Sequence, residues 1–245
     1  MSRERAYKAK LLFLLDVTGS MDHVRDAVVD KITVIAGESL KAFPDVALQV
    51  GVVGYRDVSD SSRFEVLEFL DVTGPQAAEN IERFCTVLER GSGKQFNCHG
   101  GGDVPEDVLG GMNHAMTAVD WGLADRSCVR IVIHIGDAPH HGPLFTDRVL
   151  GDAHPELQDL PRFYDEILRD YADLKIDYYF ATIKTPSGEV LTNKMSGLFK
   201  EAYDRCQTRR QEFQVIDMLE FSPDGLFNQV RSALTGSIAA FMGKR

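Results

Sequence analysis

Residues 11–20 read Leu11-Leu-Phe-Leu-Leu-Asp16-Val-Thr18-Gly-Ser20, an apolar run that ends in a polar cluster. A short run of large apolar residues without polar alternation is typical of a strand buried on both faces of a parallel sheet. After Ser20, apolar residues recur at helical spacing and stop before Pro44, where a helix is expected to end. This stretch therefore predicts a buried strand at residues 11–15, joined by a polar turn to a long helix.

The same alternation of short apolar runs and amphipathic stretches continues along the chain. Further strands are predicted at residues 47–55, 64–70, 129–135, 177–183 and 213–217. Further helices are predicted at residues 75–88, from Pro105 onward, and at 160–174, 194–206 and 224–242, with a Gly-rich loop at 90–103 and an irregular segment at 138–159. The third strand follows the second too closely for a crossover, so we expect it to be antiparallel.

Strands that alternate with helices predict a Rossmann-like, doubly wound α/β fold. We expect a mostly parallel, six-stranded sheet with one short antiparallel edge strand and helices on both faces. The chain has 245 residues, which suits a single domain spanning 1–245 with a core at about 8–242. Ligands of such sheets bind outside the carboxyl ends of the strands, where strand order reverses. Asp16 and Asp137 both sit at such ends.

The composition restricts the classes of partner. Lys and Arg total 27 against 37 Asp and Glu, a formal net charge of −10, which disfavours nucleic-acid and anionic-membrane binding. The four cysteines are scattered with no Cys-x-x-Cys pair, so reduced thiols are the simplest interpretation, with two disulfides still open. The charged amino terminus lacks a signal-peptide pattern, and no apolar run is long enough to span a bilayer. These features predict a cytoplasmic protein and leave its oligomeric state open.

The polar cluster after the first strand has the oxygen-bearing side chains that bind a hard cation. Asp16, Thr18 and Ser20 alternate along the turn, so their side chains can converge. A carboxylate and two hydroxyls make an all-oxygen set, which suits Mg2+ and also Mn2+ or Ca2+. Ser20 is equally well placed to cap the helix that follows, and this alternative does not exclude a role as ligand.

Three motifs together resemble the von Willebrand factor A (vWA) domain. Asp16-Val-Thr18-Gly-Ser20 is similar to its Asp-x-Ser/Thr-x-Ser signature, followed in order by Gly100-Gly-Gly-Asp103-Val-Pro-Glu106 and by Gly136-Asp137 at the end of a strand. The order of elements matches from about Lys8 to Met242. The resemblance implies a metal-ion-dependent adhesion site (MIDAS) held by five residues, Asp16, Thr18, Ser20, Asp103 and Asp137.

Asp103 departs from the integrin-like pattern, in which a Thr usually stands in the second loop. The Gly-Gly-Gly-Asp-x-Pro-Glu form resembles a subgroup that includes the A domains linked to alpha-type protein kinases and those of some extracellular matrix proteins. A third carboxylate would tighten cation binding and make the ion less attractive to an acidic ligand. Asp103 could instead cap the helix predicted to begin at Val104 or Pro105.

The resemblance implies a non-enzymatic binding module with a recruiting or regulatory role, in which a partner protein's oxygen completes the coordination of the cation. The alternative is a metal-dependent hydrolase or phosphatase that uses the same cluster. It is disfavoured because Thr18 stands where a haloacid-dehalogenase pattern needs a second Asp, and because the chain lacks a phosphate-binding Gly-rich Lys-Ser/Thr loop. A purely structural metal is a third possibility.

The histidines give a weaker signal. His134 lies inside an apolar strand, so we expect a packed, hydrogen-bonded core residue. His99, His140, His141 and His154 fall in two loops that should meet at the top of the sheet. Such a rim could bind zinc or sense pH, but it lacks a fixed ligand spacing. Solvated loop histidines are therefore the favoured interpretation.

Overall fold

The computed structural model describes residues 5–89, 91, 94–147, 151–159, 161–183, 189–206, 212–218 and 222–243. Within them the strands are β1 Tyr7–Asp16, β2 Val46–Tyr55, β3 Phe64–Asp71, β4 Cys128–Gly136, β5 Ile176–Ile183 and β6 Phe213–Met218. The helices are α1 Asp22–Ala42, α2 Ala77–Val87, α3 Val108–Thr117, α4 Pro161–Asp173, α5 Glu189–Cys206 and α6 Pro223–Met242. Short 3-10 turns occupy Gly19–Met21 and Pro155–Asp159.

The strands form one six-stranded sheet in the order β3-β2-β1-β4-β5-β6. Every neighbouring pair is parallel except β2 and β3, which are antiparallel. After β1 the chain adds β2 and β3 on one side, and it then returns to add β4 to β6 on the other. Strand order therefore reverses between β1 and β4, and Leu15 pairs with Ile135 at the carboxyl end of that junction.

The core lies on both faces of the sheet because β1 is buried on both. Leu11, Phe13 and Leu15 pack into one apolar cluster together with residues of α1, α2 and α6. Leu12 and Leu14 point the other way, into a second cluster with residues of α3, α4 and α5. Successive side chains of a strand alternate between faces, so an unbroken apolar run is what a strand covered on both sides requires.

The predicted fold class is confirmed, and so is the antiparallel third strand. The helix predicted from Pro105 onward begins instead at Val108, because Asp107 is its N-cap and accepts a hydrogen bond from the backbone N–H of Gly110. The fifth helix begins at Glu189, before its predicted start at Lys194. The predicted starts of the Gly-rich loop at Arg90 and of the fourth helix at Leu160 lie outside the described residues.

Two further observations bear on expectations from the sequence. All four cysteines are free thiols. Among the described helices, none combines the length and the apolar character needed to cross a bilayer.

The approach of α3 to β2 gives a test of this packing. A Cβ on Gly111 would lie 2.6 Å from Cγ of the buried Tyr55 ring, whereas a Cβ on the exposed Gly197 of α5 would meet nothing within 4 Å. Gly111→Ala should therefore destabilise the chain by about 1–3 kcal/mol through overpacking. Gly197→Ala should stabilise it by roughly 0.5–1 kcal/mol through helix propensity. Urea unfolding measures both, and equal stability of the two variants would contradict the packing described.

Candidate metal centre

The candidate site lies where strand order reverses. Asp16 is the last residue of β1, and Asp137 directly follows Gly136, the last residue of β4. Both carboxyl groups are buried, with 2% of Asp16 and 6% of Asp137 exposed. The parallel pairing of β1 with β4 sets the two acids side by side at one edge of the sheet.

The turn after β1 arranges the two predicted hydroxyl ligands around these acids. Asp16 Oδ1 accepts hydrogen bonds from the backbone N–H of Thr18 at 2.9 Å and from its Oγ1 at 2.6 Å. Ser20 hydrogen-bonds the Asp137 carboxylate. Ser20 does not cap a helix, since the N-cap residues of the 3-10 turn and of α1 are Thr18 and Met21. The structure thus brings Asp16, Thr18, Ser20 and Asp137 together.

The buried acids carry a large electrostatic cost. Burial, reinforced by the negative charge of Asp137, raises the pKa of Asp16 to about 7 despite its two hydrogen bonds from Thr18. Burial also raises the pKa of Asp137, although the Ser20 hydrogen bond opposes this shift. Asp16 Oδ2 is buried and has no hydrogen-bond partner among the described residues.

A buried arginine lies near Asp16. Arg56, at 0% exposed, lowers the pKa of Asp16. Its guanidinium is already engaged by Glu65 at 3.2 Å and by the carbonyl oxygens of Ser62 and Asn97. Arg56 therefore offsets only part of the negative charge, since the pKa of Asp16 remains raised.

Glu106 is a site residue that the sequence analysis quoted in a motif but did not select. It is 4% exposed, and burial together with the charge of Asp16 raises its pKa to about 11. Gly101, at φ +76°, brings the Gly-rich loop against it, so that a Cβ there would lie 2.8 Å from Glu106 Oε1 and 3.6 Å from Thr18 Cβ. Its Oε2 has no hydrogen-bond partner in the described part of the chain. The sequence signal that could have identified Glu106 was its position in the quoted motif, directly after Pro105 and close to Asp103.

The described contacts of Asp103 are with a different loop. Asp103 Oδ2 accepts a hydrogen bond from the backbone N–H of Ala153 at 2.6 Å. The Asp103 carboxylate lies close to His141 and Asp152. One possible ligand atom from each of the three residues lies within 4.8 Å of the other two. Asp103 does not cap α3, because Asp107 does.

Two of the histidines are more deeply buried than the sequence led us to expect. His134 is fully buried, and its Nε2 and Nδ1 lie 2.8 Å from the hydroxyls of Tyr55 and Tyr178, which confirms a hydrogen-bonded core residue. His140 and His141 were expected to be solvated loop residues. That is wrong, since 2% of His140 and 0% of His141 is exposed.

Comparisons with known proteins give the fold a name. A match over 216 residues, at 29% identity, relates 86% of this chain to 30% of the alpha-protein kinase vwkA of Dictyostelium discoideum. The pilus adhesin SpaC of Lactobacillus rhamnosus GG, in its open conformation, superposes on 95% of the chain with a TM-score of 0.55 at 11% identity, using 30% of its own length. The VWA domain of SpRpn10 superposes on 91% of the chain and 95% of its own length, with a TM-score of 0.51 at 9% identity.

The chain has the von Willebrand factor A fold. The resemblance noted in the sequence is confirmed, including its link to an alpha-type protein kinase. No protein-family model matches the chain. The chain spans less than a third of the length of the kinase it matches.

The residues present fit the divalent cation that a vWA domain with this turn implies. Asp16 Oδ2 is a buried acceptor without a donor among the described residues. Such an atom costs free energy unless a donor or a cation satisfies it. The surrounding donors are carboxylate and hydroxyl oxygens, which hard cations prefer. Mg2+ would be held by Asp16, Thr18, Ser20 and Asp137, with Glu106 alongside.

This electrostatic cost gives a pH-dependent prediction for the chain kept in EDTA. Because the pKa of Asp16 is raised from 3.8 to about 7, the folded state holds a proton between these values that the unfolded chain releases. The free energy of unfolding should therefore fall as pH rises from about 4 through 7. Asp16→Asn removes this contribution and should be the more stable protein at pH 8, by up to about 4 kcal/mol.

Urea unfolding in EDTA at pH 5 and pH 8 measures the effect. Asp45→Asn changes an exposed acid just before β2, at the opposite end of the strands, and should leave the pH dependence unchanged. A wild-type chain that gains stability between pH 5 and pH 8 relative to Asp16→Asn would disprove the assignment of a buried, costly carboxylate.

Proposed function

We propose that this chain is a divalent-cation-dependent protein-binding module. Asp16, Thr18, Ser20 and Asp137 hold Mg2+, or Mn2+ or Ca2+ in its place. The observation that carries the proposal is the buried Asp16 carboxylate, whose Oδ2 lacks a partner at the switch point of a vWA sheet. A bound divalent cation supplies positive charge there and a coordination position that an oxygen of a partner protein completes.

The chain's own residues have separate tasks in this proposal. Asp16 and Asp137 carry the negative charge that binds the ion. Thr18 and Ser20 now donate to those carboxylates, and their hydroxyl oxygens keep lone pairs for the ion. Glu106 is oriented by its backbone, whose N–H donates to the carbonyl of Pro139 at 2.9 Å. Asp103, the fifth residue of the predicted set, accepts a hydrogen bond from Ala153 N–H through Oδ2 and is not among the ligands proposed here.

The module has no catalytic step assigned to it. Its fold is shared with a pilus adhesin and with the VWA domain of SpRpn10, and its sequence is similar to part of an alpha-protein kinase. A recruiting or regulatory role beside another activity is consistent with that similarity. The four free thiols support a reducing compartment, and we place the protein in the cytoplasm.

Metal binding should raise thermal stability. An ion that binds only the folded state at one hundred times its Kd stabilises it by about 2.7 kcal/mol, which corresponds to roughly 5–10 °C for a domain of this size. We expect this rise on adding millimolar Mg2+ to EDTA-treated wild type and to Asp45→Ala, and no rise for Asp16→Ala. The readout is the melting temperature by circular dichroism. An equal rise in Asp16→Ala would place the ion elsewhere.

The open coordination position has its own test. Mn2+ bound with an exchangeable water shortens the relaxation time of bulk water protons, so titrating Mn2+ into the wild type should enhance relaxation, and Asp16→Ala should not show this. A Glu-bearing peptide that completes the coordination should reduce the enhancement by displacing water, and the matched Gln peptide should not. Bound Mn2+ without enhancement would mean a closed, purely structural ion, and the binding function would be refuted.

A further inference from the structure

A second group of possible ligand atoms, none of them from Asp16 or Asp137, comes from the Gly-rich loop before α3 and from the loop after β4. Asp103, His141 and Asp152 each place one potential ligand atom within 4.8 Å of the other two. His141 is fully buried, while Asp103 and Asp152 are partly exposed. The three come from two loops that the sequence separates by 38 or more residues, so the fold alone unites them.

The His141 imidazole is held between two carboxylates. Its Nε2 lies 2.7 Å from Asp57 Oδ1, and its Nδ1 lies 2.9 Å from Asp152 Oδ1. Asp57 is itself fixed, since its two oxygens accept hydrogen bonds from Val58 N–H at 2.6 Å and from Ser59 Oγ at 3.0 Å. A carboxylate on one ring nitrogen is the arrangement that orients a metal-binding histidine and leaves its other nitrogen for the ion. Here Nε2 would donate to Asp57, which leaves Nδ1 on the side of Asp152.

Asp152 is equally well oriented. Its Oδ2 accepts hydrogen bonds from Gly142 N–H at 2.6 Å and from Thr146 Oγ1 at 3.2 Å, and its Oδ1 accepts one from His154 N–H at 2.8 Å. These bonds set the carboxylate before any ion arrives, which reduces the ordering cost of binding.

An unsatisfied atom points to a missing partner. Asp103 Oδ1 is buried and lacks a hydrogen-bond partner among the described residues, although Oδ2 of the same carboxylate is bonded to Ala153. Three carboxyl groups, those of Asp57, Asp103 and Asp152, surround one imidazole, so acidic groups outnumber the basic group in the cluster. A cation bound through Oδ1 would satisfy this oxygen and balance the acidic groups.

We propose that Asp103, His141 and Asp152 form a second metal site, which takes an ion that accepts nitrogen as well as oxygen, Zn2+ in the first place. Neutral imidazole suits zinc, whereas Mg2+ prefers an all-oxygen set. The ion would take the place of the contact between His141 Nδ1 and Asp152, and three protein ligands leave one position for water. Because Asp103 precedes Glu106 by three residues, the bound ion clamps the segment that presents Glu106 to the Asp16 site.

Co2+ serves as a coloured stand-in for Zn2+ in the test. EDTA-treated protein is returned to excess Mg2+, which occupies the all-oxygen site, and is titrated with Co2+. We expect one equivalent to give the visible absorption of nitrogen-bound, low-coordinate cobalt, which Zn2+ then bleaches. His141→Gln should abolish the band, and Asp57→Asn should weaken Co2+ affinity by about 10- to 100-fold through loss of orientation. His99→Gln, at an exposed histidine of the Gly-rich loop, should change neither.

Two further variants keep the outcomes distinct. Asp16→Ala should keep the Co2+ band while losing the Mg2+ response, so this site and the proposed function can fail separately. Asp103→Asn retains the size of the side chain and an oxygen for Ala153, so it tests the ligand set if His141→Gln does not fold, and it should bind Co2+ at least about tenfold more weakly. A wild type without the band, or a folded Asp103→Asn or His141→Gln with wild-type affinity, overturns the proposal.

Discussion

Burial of the Asp16 carboxylate at the carboxyl edge of the sheet is the constraint on which the surrounding arrangement depends. β1 is covered on both faces, and after its apolar run from Leu11 to Leu15 the next polar side chain is Asp16, at the carboxyl end where strand order reverses. The hydrogen bonds from Thr18 and the charge of Arg56 both favour the ionised form, yet burial and Asp137 prevail and raise its pKa to about 7. Fixed protein groups thus leave a deficit of positive charge that a divalent cation would supply.

Close to Asp16 lies a buried group of side chains that is polar but uncharged. Tyr55, His134 and Tyr178 form a buried chain of hydrogen bonds, and burial lowers the pKa of His134 to about 3. A neutral imidazole has one N–H donor and one acceptor, so one tyrosine accepts from it and the other donates to it. Both ring nitrogens are satisfied without a charge. His134 therefore adds no counter-ion to the Asp16 site.

Sequence patterns predicted what depends on local periodicity and failed where distant residues decide. The apolar run of β1 and the parallel order of strands were enough to place Asp16 and Asp137 together. Pro105 suits a first helical turn, but Asp107 provides the cap, and its pairing with Arg63 across 44 positions was not visible in the sequence. Gly101 packs beside both Glu106 and Thr18 with a left-handed φ, which a run of three glycines permits without specifying. The place of Glu106 beside the Asp16–Ser20 turn could therefore be identified only from the folded structure.

The loop after β4 shows the same limit most clearly. His140 and His141 are adjacent in sequence and both buried, yet their surroundings differ. His140 Nδ1 lies 3.3 Å from the carbonyl oxygen of Glu106, and burial lowers its pKa to about 3. His141 instead lies between Asp57, 84 positions away, and Asp152. The chemistry of a loop histidine depends on such partners and not on its spacing in the sequence. His140 is a packing group and His141 a candidate metal ligand because the fold places Asp57 and Asp152 on either side of His141.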